Sequence, residues 1–170
     1  MSARAGSKDG QTVTPEGGRV RPPSIAGVVV HPLANVISRS GYVSEIFRTD
    51  WAPIQTAVRQ VNWAQMNPGA ITDWHVHYHQ TDHLIGVGGN IKVALYDGRE
   101  DSATFGASEV VRFGAIRPVM VIVPPGVWHG LRNESGAPAG YVNVIDRGYN
   151  HADPDDWRVP SDGTELPDIL

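Results

Sequence analysis

The stretch His75-Val-His77-Tyr-His79, followed about fifty residues later by Pro124-Pro-Gly-Val-Trp-His129, decides the fold. In a β-strand, side chains alternate between the two faces, so the imidazoles at 75, 77 and 79 all point the same way. The Pro/Gly turn then brings a fourth imidazole, His129, from a distant part of the chain. This pattern predicts a group of histidines converging on one side of a strand, which is typical of a site.

The rest of the sequence consists of short apolar runs broken by Gly, Pro, Asn and Asp. Strands are predicted at 28–30, 41–48, 57–64, 71–79, 84–87, 91–96, 119–123 and 141–145. Only two short pieces, 50–53 and 153–157, have the character of a helical turn. The sequence therefore predicts an all-β jelly-roll sandwich or barrel, whose open mouth between the sheets can hold a ligand.

Residues 1–24 are rich in Gly, Ser, Pro and charged side chains and offer little to bury, which predicts a flexible, disordered N-terminal tail. Residues 25–170 then form a single jelly-roll domain. A chain of this size buries roughly two thirds of its unfolded surface, which is enough for one core.

The composition excludes several classes of partner. The 170 residues carry a formal net charge of -4 with a pI near 5.9, so the basic patch that nucleic acid or an anionic membrane requires is not expected. There is no cysteine, so disulfides and thiolate metal ligands are excluded. Neither a membrane span nor a secretory signal is apparent. We expect a cytoplasmic protein with a small-molecule partner.

Two chemistries compete for the histidine cluster. As metal ligands, His75, His77 and His129 would join the carboxylate of Asp82 around Fe, Mn, Ni or Zn. As acid–base groups, imidazoles with an ordinary pKa of about 6.5 exchange protons near neutral pH. The third interpretation is that these polar side chains only line a cavity and carry no chemistry. It is less favoured for a cluster of histidines than for a lone histidine. His31 and His151 have no such context and are expected to be structural.

These residues resemble the two motifs of the cupin superfamily. The first motif runs glycine, five residues, His-x-His, three or four residues, glutamate, six residues and glycine, and here Asp takes the place of the glutamate. The second motif is Pro-x-Gly-x-x-His-x-x-x-Asn. The matching residues are Gly69, His75, His77, Asp82, Gly89, Pro124, Gly126, His129 and Asn133.

Within the cupins, residues 27–160 resemble the dTDP-4-dehydrorhamnose 3,5-epimerase family. The likeness includes the segments 41–48, 60–62, 97–106 and 124–130. It implies that His75 abstracts a proton beside the C4 ketone of a nucleotide sugar and that a tyrosine returns one from the opposite face. It also implies a homodimer with crossing N-terminal strands and no required cofactor. The implied substrate-binding residues are Glu45, Arg48, Gln60, Asn62 and His129.

The sequence departs from the family at charged and catalytic positions. Ser40 and Thr72 stand where the family has arginines, and Asp82 replaces a lysine. The catalytic tyrosine position falls on Val142, with Tyr141 beside it. A one-residue offset turns a strand side chain to the other face, so Tyr141 is expected to serve as the acid only if a bulge re-aims it.

The sequence thus predicts an isomerase that abstracts a proton next to the carbonyl of a dTDP-4-keto-6-deoxyhexose or related keto-sugar, using His75 and Tyr141. One alternative is a metal-dependent cupin isomerase or dioxygenase with a site of His75, His77, Asp82 and His129. The other is a cupin that binds a carbohydrate without catalysis.

Overall fold

The computed structural model describes residues 11, 13–15, 24–54, 57–160, 162 and 165–170. These residues contain no helix long and apolar enough to cross a lipid bilayer. Their strands are β1 (Val29–Pro32), β2 (Asn35–Ser38), β3 (Gly41–Ser44), β4 (Gln60–Met66), β5 (Trp74–Val76), β6 (Asp82–Gly86), β7 (Asn90–Asp97), β8 (Ser108–Gly114), β9 (Val119–Val123), β10 (Val127–Asn133), β11 (Ala139–Ile145) and β12 (Trp157–Val159).

Ten of the strands form two facing antiparallel sheets of five. The first sheet has the order β1-β9-β6-β11-β4, and the second has the order β12-β5-β10-β7-β8. Strands β2 and β3 pair only with each other and form a separate hairpin. The predicted all-β cupin jelly roll is confirmed.

The main core lies between the two sheets because alternate residues of each strand turn inward. Leu84 and Val121 from the first sheet meet Val93, Leu95 and similar residues from the second, all almost fully buried. A smaller apolar cluster, with Ile85, Met120, Ile122 and Val144, lies on the outer face of the first sheet. Side chains from the segment 46–54 after β3 pack on that cluster, so the first sheet is covered on both faces there.

Four strands were not predicted: β2, β8, β10 and β12. In β10 the inward positions alternate regularly, but His129 and Asn133 occupy two of them, and polar side chains there conceal the apolar period. Asn133 is satisfied in the interior because its amide donates to the carbonyls of Met66, Asn67 and Ala137. Buried polar groups with partners of this kind are compatible with a core strand.

The strand predicted at 71–79 is much shorter in the structure. Only Trp74–Val76 forms β5, because the carboxylate of Asp155 accepts the backbone N–H groups of Tyr78 and His79 and draws the chain out of the sheet. His79 consequently lies exposed at the surface. The expectation that 75, 77 and 79 share one continuous strand face is therefore wrong beyond residue 76.

Other predicted segments also differ at their ends. The strand predicted at 41–48 ends at Ser44, and 50–53 forms a turn rather than a helix. The segment 153–157 leads as a bend into β12. Most of the predicted tail, residues 1–24, lies outside the described residues, so the domain boundary stays a prediction.

Candidate functional site

The register of the strands brings the predicted site residues to one end of the sandwich. His75 of β5 lies directly opposite His129 of β10 in the second sheet. In the first sheet, Asn143 of β11 lies opposite Asn62 of β4. Between the sheets an open cavity of about 910 Å³ has polar walls. Its walls include Arg59, Asn62, His75, His77, His79, Gln80, Asp82, Tyr141, Asn143, Asp146, Arg147, Tyr149, Asp153, Asp155, Asp156 and Arg158.

The histidine cluster consists of His75, His77, Asp82 and His129. One ligand-capable atom of each residue lies within 4.8 Å of those of the other three. Oδ2 of Asp82 is 3.3 Å from Nε2 of His129 and 3.6 Å from Nε2 of His77. The His75 and His129 rings lie against each other, with centroids 4.1 Å apart. The four predicted metal-ligating residues are therefore brought together.

The atoms of this cluster that point away from its centre are held by hydrogen bonds. Nδ1 of His75 faces the carbonyl of Asp73 at 3.3 Å, and Nδ1 of His129 faces the carbonyl of Val127 at 3.1 Å. Nδ1 of His77 likewise contacts the carbonyl of Asp155. Because a carbonyl only accepts hydrogen bonds, each Nδ1 carries the proton, and each Nε2 is directed by its ring toward the cluster.

The backbone supports this arrangement at two special positions. Asp73 has a φ of 60°, in the left-handed region, and this conformation lets it present its carbonyl to His75. The turn before β10 is tied to the cluster because the N–H of Gly126 donates to the carbonyl of His77 at 2.7 Å. Gly126 itself has a φ of 80°, and a Cβ there would press against Arg99.

Burial and mutual contact perturb the pKa values of the cluster. Burial, together with the neighbouring His129 and His77, holds the pKa of His75 well below its usual value. Burial alone would raise the pKa of Asp82, but hydrogen bonds from His129 and His77 outweigh it and hold that pKa well below normal. Burial likewise opposes protonation of His77, but Asp82 prevails and raises the pKa of His77 to about 8. The protein by itself therefore holds a buried carboxylate with His77 as its cationic partner.

Tyr141 lies in the wall opposite the histidines. It pairs without interruption with Ala64 and Gly86, points inward onto the main core, and lines the cavity. Val142 packs on the outer face instead. The expectation that Tyr141 faces away unless a bulge re-aims it is therefore wrong. Burial and the charge of Asp82 raise the pKa of Tyr141, so its hydroxyl keeps its proton at neutral pH.

The predicted substrate-binding residues are only partly collected at the cavity. Asn62 lines it, and Gln60 stands beside Asn62, to which its amide donates at 2.8 Å. His129 is only 1% exposed and lies behind the wall. Glu45 and Arg48 do not line the cavity. They pair with each other at 3.2 Å on the exposed segment after β3.

Three arginines at the cavity were not predicted from the sequence. Arg59, Arg147 and Arg158 line the cavity, although the family's arginine positions are Ser40 and Thr72 here. Arg158 lies next to one of those positions, because its guanidinium donates to the carbonyl of Thr72 at 3.3 Å. Recognising it requires the pairing of β12 with β5, which joins residues far apart in the sequence. The cavity wall also contains five aspartates, namely Asp82, Asp146, Asp153, Asp155 and Asp156.

The jelly roll and the cluster at its mouth define a cupin. The sequence profile described as dTDP-4-dehydrorhamnose 3,5-epimerase matches residues 22–155. The chain belongs to the dTDP-4-dehydrorhamnose 3,5-epimerase family.

Relatives of known class agree with this assignment. The chain is 31% identical over 141 residues to the probable low-salt glycan biosynthesis epimerase Agl13 of Haloferax volcanii, covering 82% of this chain and 90% of that protein. The dTDP sugar isomerase of Desulfovibrio desulfuricans superposes with a TM-score of 0.76 at 26% identity, covering 82% of this chain and 88% of that one. ChmJ, a 3'-monoepimerase from Streptomyces bikiniensis in complex with dTDP-quinovose, gives a TM-score of 0.75 at 26% identity, covering 89% and 80%. The predicted isomerase of the epimerase type is confirmed.

Proposed function

We propose that the protein inverts a carbon next to the carbonyl of a nucleotide-linked 4-keto-6-deoxy sugar. His75 is the base, and Tyr141 is the acid. The observation that carries this proposal is that the two side chains line one cavity from facing sheets. A base and an acid on opposite walls are the arrangement that inversion of a carbon requires.

The proton transfers follow from the atoms available. With Nδ1 of His75 engaged by the carbonyl of Asp73, Nε2 takes the proton from the carbon beside the carbonyl, and the electron pair moves into an enolate. The Tyr141 hydroxyl then gives its proton to the opposite face of that carbon, which restores the ketone with inverted configuration. Solvent exchange returns His75 and Tyr141 to their starting protonation states.

The proposed substrate class rests on charge at the cavity and on the relatives. Arg59 and Arg147 are exposed where they border the cavity, and guanidinium groups are suited to bind the oxygens of a diphosphate. ChmJ holds dTDP-quinovose, which supports a dTDP-linked sugar here. Asn62 and Asn143 lie beside Tyr141, where their amides can hydrogen-bond sugar hydroxyls or the carbonyl.

We also propose that the working enzyme is a cytoplasmic homodimer in which the partner completes the site. Glu45 and Arg48 follow the β2–β3 hairpin, away from the cavity of their own chain. The hairpin exposes several large apolar side chains, including Ile37 at 83%. Burying them against a second copy would cover this surface and carry Glu45 and Arg48 toward the partner's cavity.

Incubation with dTDP-4-keto-6-deoxyglucose in D₂O tests the proposed chemistry. We expect deuterium at C3 or C5 by NMR and a fall of about 10²–10⁴ in exchange rate for His75→Asn. His31→Asn, a histidine on β1 away from the cavity, is the matched control and should exchange as the native protein does. Exchange that is absent in the native protein, or unchanged in His75→Asn, would overturn the proposal.

A further inference from the structure

We propose that His77, Asp82 and His129 bind one divalent transition-metal ion beside His75. This narrows the four-residue set that the sequence predicts to three ligands and leaves His75 free as the base. A catalytic use of the ion rests on the proposed function. Binding of the ion does not rest on that function, so metal binding and catalysis can be tested separately.

The distances within the cluster fit one shared ion. Imidazole nitrogens and carboxylate oxygens lie about 2.0–2.2 Å from such ions, so two ligands of one ion stand roughly 3.0–3.5 Å apart. The separations from Oδ2 of Asp82 are 3.3 Å to His129 and 3.6 Å to His77. Two of the three separations therefore already lie at about the spacing that a bound ion imposes, and the ligand atoms of His77 and His129 lie within 4.8 Å of each other.

The orientation of the ligands also fits an ion. The carbonyls of Asp155 and Val127 fix the protons of His77 and His129 on Nδ1. Gln80 donates to the outer oxygen of Asp82, Oδ1, at 2.6 Å. Hydrogen bonds of this kind, made by the atoms that do not bind the ion, hold the ligands of established metal sites in place.

The fixed orientation creates an electrostatic problem that a cation solves. In neutral His77 and His129, both Nε2 lone pairs meet the negative Oδ2 of Asp82, which is repulsive. Asp82 is only 2% exposed, so water cannot relieve the repulsion. Extra protons on the rings or a metal ion between the three atoms would relieve it, and only the ion uses all three lone pairs.

The charge of the surrounding walls favours the ion over protons alone. Five aspartates and three arginines line the cavity, so two negative charges have no arginine to balance them, and a single proton on His77 balances only one of the two. A divalent ion would balance both of these negative charges. Two imidazoles and a carboxylate without a thiolate are typical ligands of Zn, Fe, Mn, Co or Ni rather than of Cu(I) or Ca²⁺.

His75 is assigned outside the ligand set because of its contacts. Asp82 hydrogen-bonds His129 and pairs with His77, whereas His75 packs by its ring against His129. When bound, the ion would act as a Lewis acid that polarises a carbonyl oxygen and stabilises an enolate. His75 would stand next to that carbonyl with its Nε2 free to take the proton.

Metal analysis and cobalt titration of the full chain test this assignment. We expect about one transition-metal ion per chain in protein purified without chelators. After chelation, Co²⁺ should bind with a stoichiometry of one by calorimetry and give the visible absorption of ligated cobalt. Asp82→Asn and His77→Asn should weaken Co²⁺ binding at least about 100-fold. His79→Asn, a cavity histidine outside the ligand set, should bind as the native protein does.

Two further results separate this proposal from the proposed function. His75→Asn should keep the cobalt spectrum and stoichiometry while losing deuterium exchange. If His75→Asn no longer bound Co²⁺, the assignment of His75 as a free base would be overturned. Native protein that is folded by circular dichroism but binds no Co²⁺ would overturn the metal site, even if it exchanges deuterium. Binding of Co²⁺ without any exchange would support the site and remove the proposed function instead.

Discussion

The histidine cluster and the β2–β3 hairpin differ in how their residues are held. In the cluster, both strands and turns fix each side chain, and backbone carbonyls fix the imidazole protons. The hairpin belongs to neither large sheet and exposes apolar side chains, and the segment after it pairs Glu45 with Arg48 at the surface. Under the proposed function, one chain holds the groups for proton transfer, whereas a second chain completes the contacts to the substrate.

The largest effect is expected for Tyr141→Phe, which removes the acid from the wall facing the cluster. His75 can still take the substrate proton, so deuterium should wash into the original position. Inversion should fall about 10²–10⁴-fold because no group delivers a proton from the opposite face. NMR of product configuration and of deuterium content separates the two events. Equal loss of both would show that Tyr141 does more than donate this proton.

A large effect on stability is expected for Asp97→Asn, which loosens the frame of the cluster but not the hairpin. Asp97 is 0% exposed and accepts hydrogen bonds from Arg99, Ser102 and Thr104. It lies opposite Val127, whose carbonyl holds His129. Loss of this buried charge should lower the free energy of unfolding by about 3 kcal/mol, measured by urea denaturation.

The same variant has a defined pH signature. The hydrogen bond from Arg99 is the main cause that lowers the pKa of Asp97 in the folded protein. The stability that the Asp97 carboxylate contributes is therefore present above the unfolded pKa of about 3.9. This stability is lost as the pH falls toward the pKa of Asp97 in the folded protein. Between about pH 5 and pH 3 the native protein should lose more stability than Asp97→Asn. Parallel pH profiles for the two proteins would contradict this account.

A smaller effect on turnover is expected for Ile37→Asp, which places a charge on the hairpin surface. Light scattering should show a change from dimer to monomer, with the circular dichroism spectrum retained. Because Glu45 and Arg48 are then missing from every site, kcat/KM should fall about 10–100-fold, and Co²⁺ binding should not change. A monomer with full activity would show that each chain is complete.

The smallest effect is expected for Arg48→Ala alone, which removes one contact and leaves the dimer intact. KM should rise about tenfold, equivalent to 1.4 kcal/mol, with little change in kcat. Mixing this variant with His75→Asn provides the control. A hybrid dimer contains one site with native His75 and native Arg48 if the two residues come from different chains, so part of the activity should return.

How much the sequence could predict depended on the range of the contacts involved. Alternation and turn residues predicted the sheets, and the two motifs brought His75 and His129 together, because strand pairing is regular there. The inward face of Tyr141 depends on the register of β11 against two neighbours, which a family alignment offset by one residue obscured. The position of Arg158 at the cavity depends on the pairing of β12 with β5, which joins residues about eighty positions apart, so no local pattern could reveal it.

The left-handed backbone at Asp73 limits which residues can occupy this position, two residues before His75. Glycine, asparagine and aspartate adopt this conformation readily, whereas a β-branched residue would strain it by about 1–3 kcal/mol. Relief of that strain would rotate the peptide and turn the carbonyl away from the imidazole. Which residues this exposed position accepts therefore depends on the hydrogen bond that its backbone makes to the imidazole two residues away.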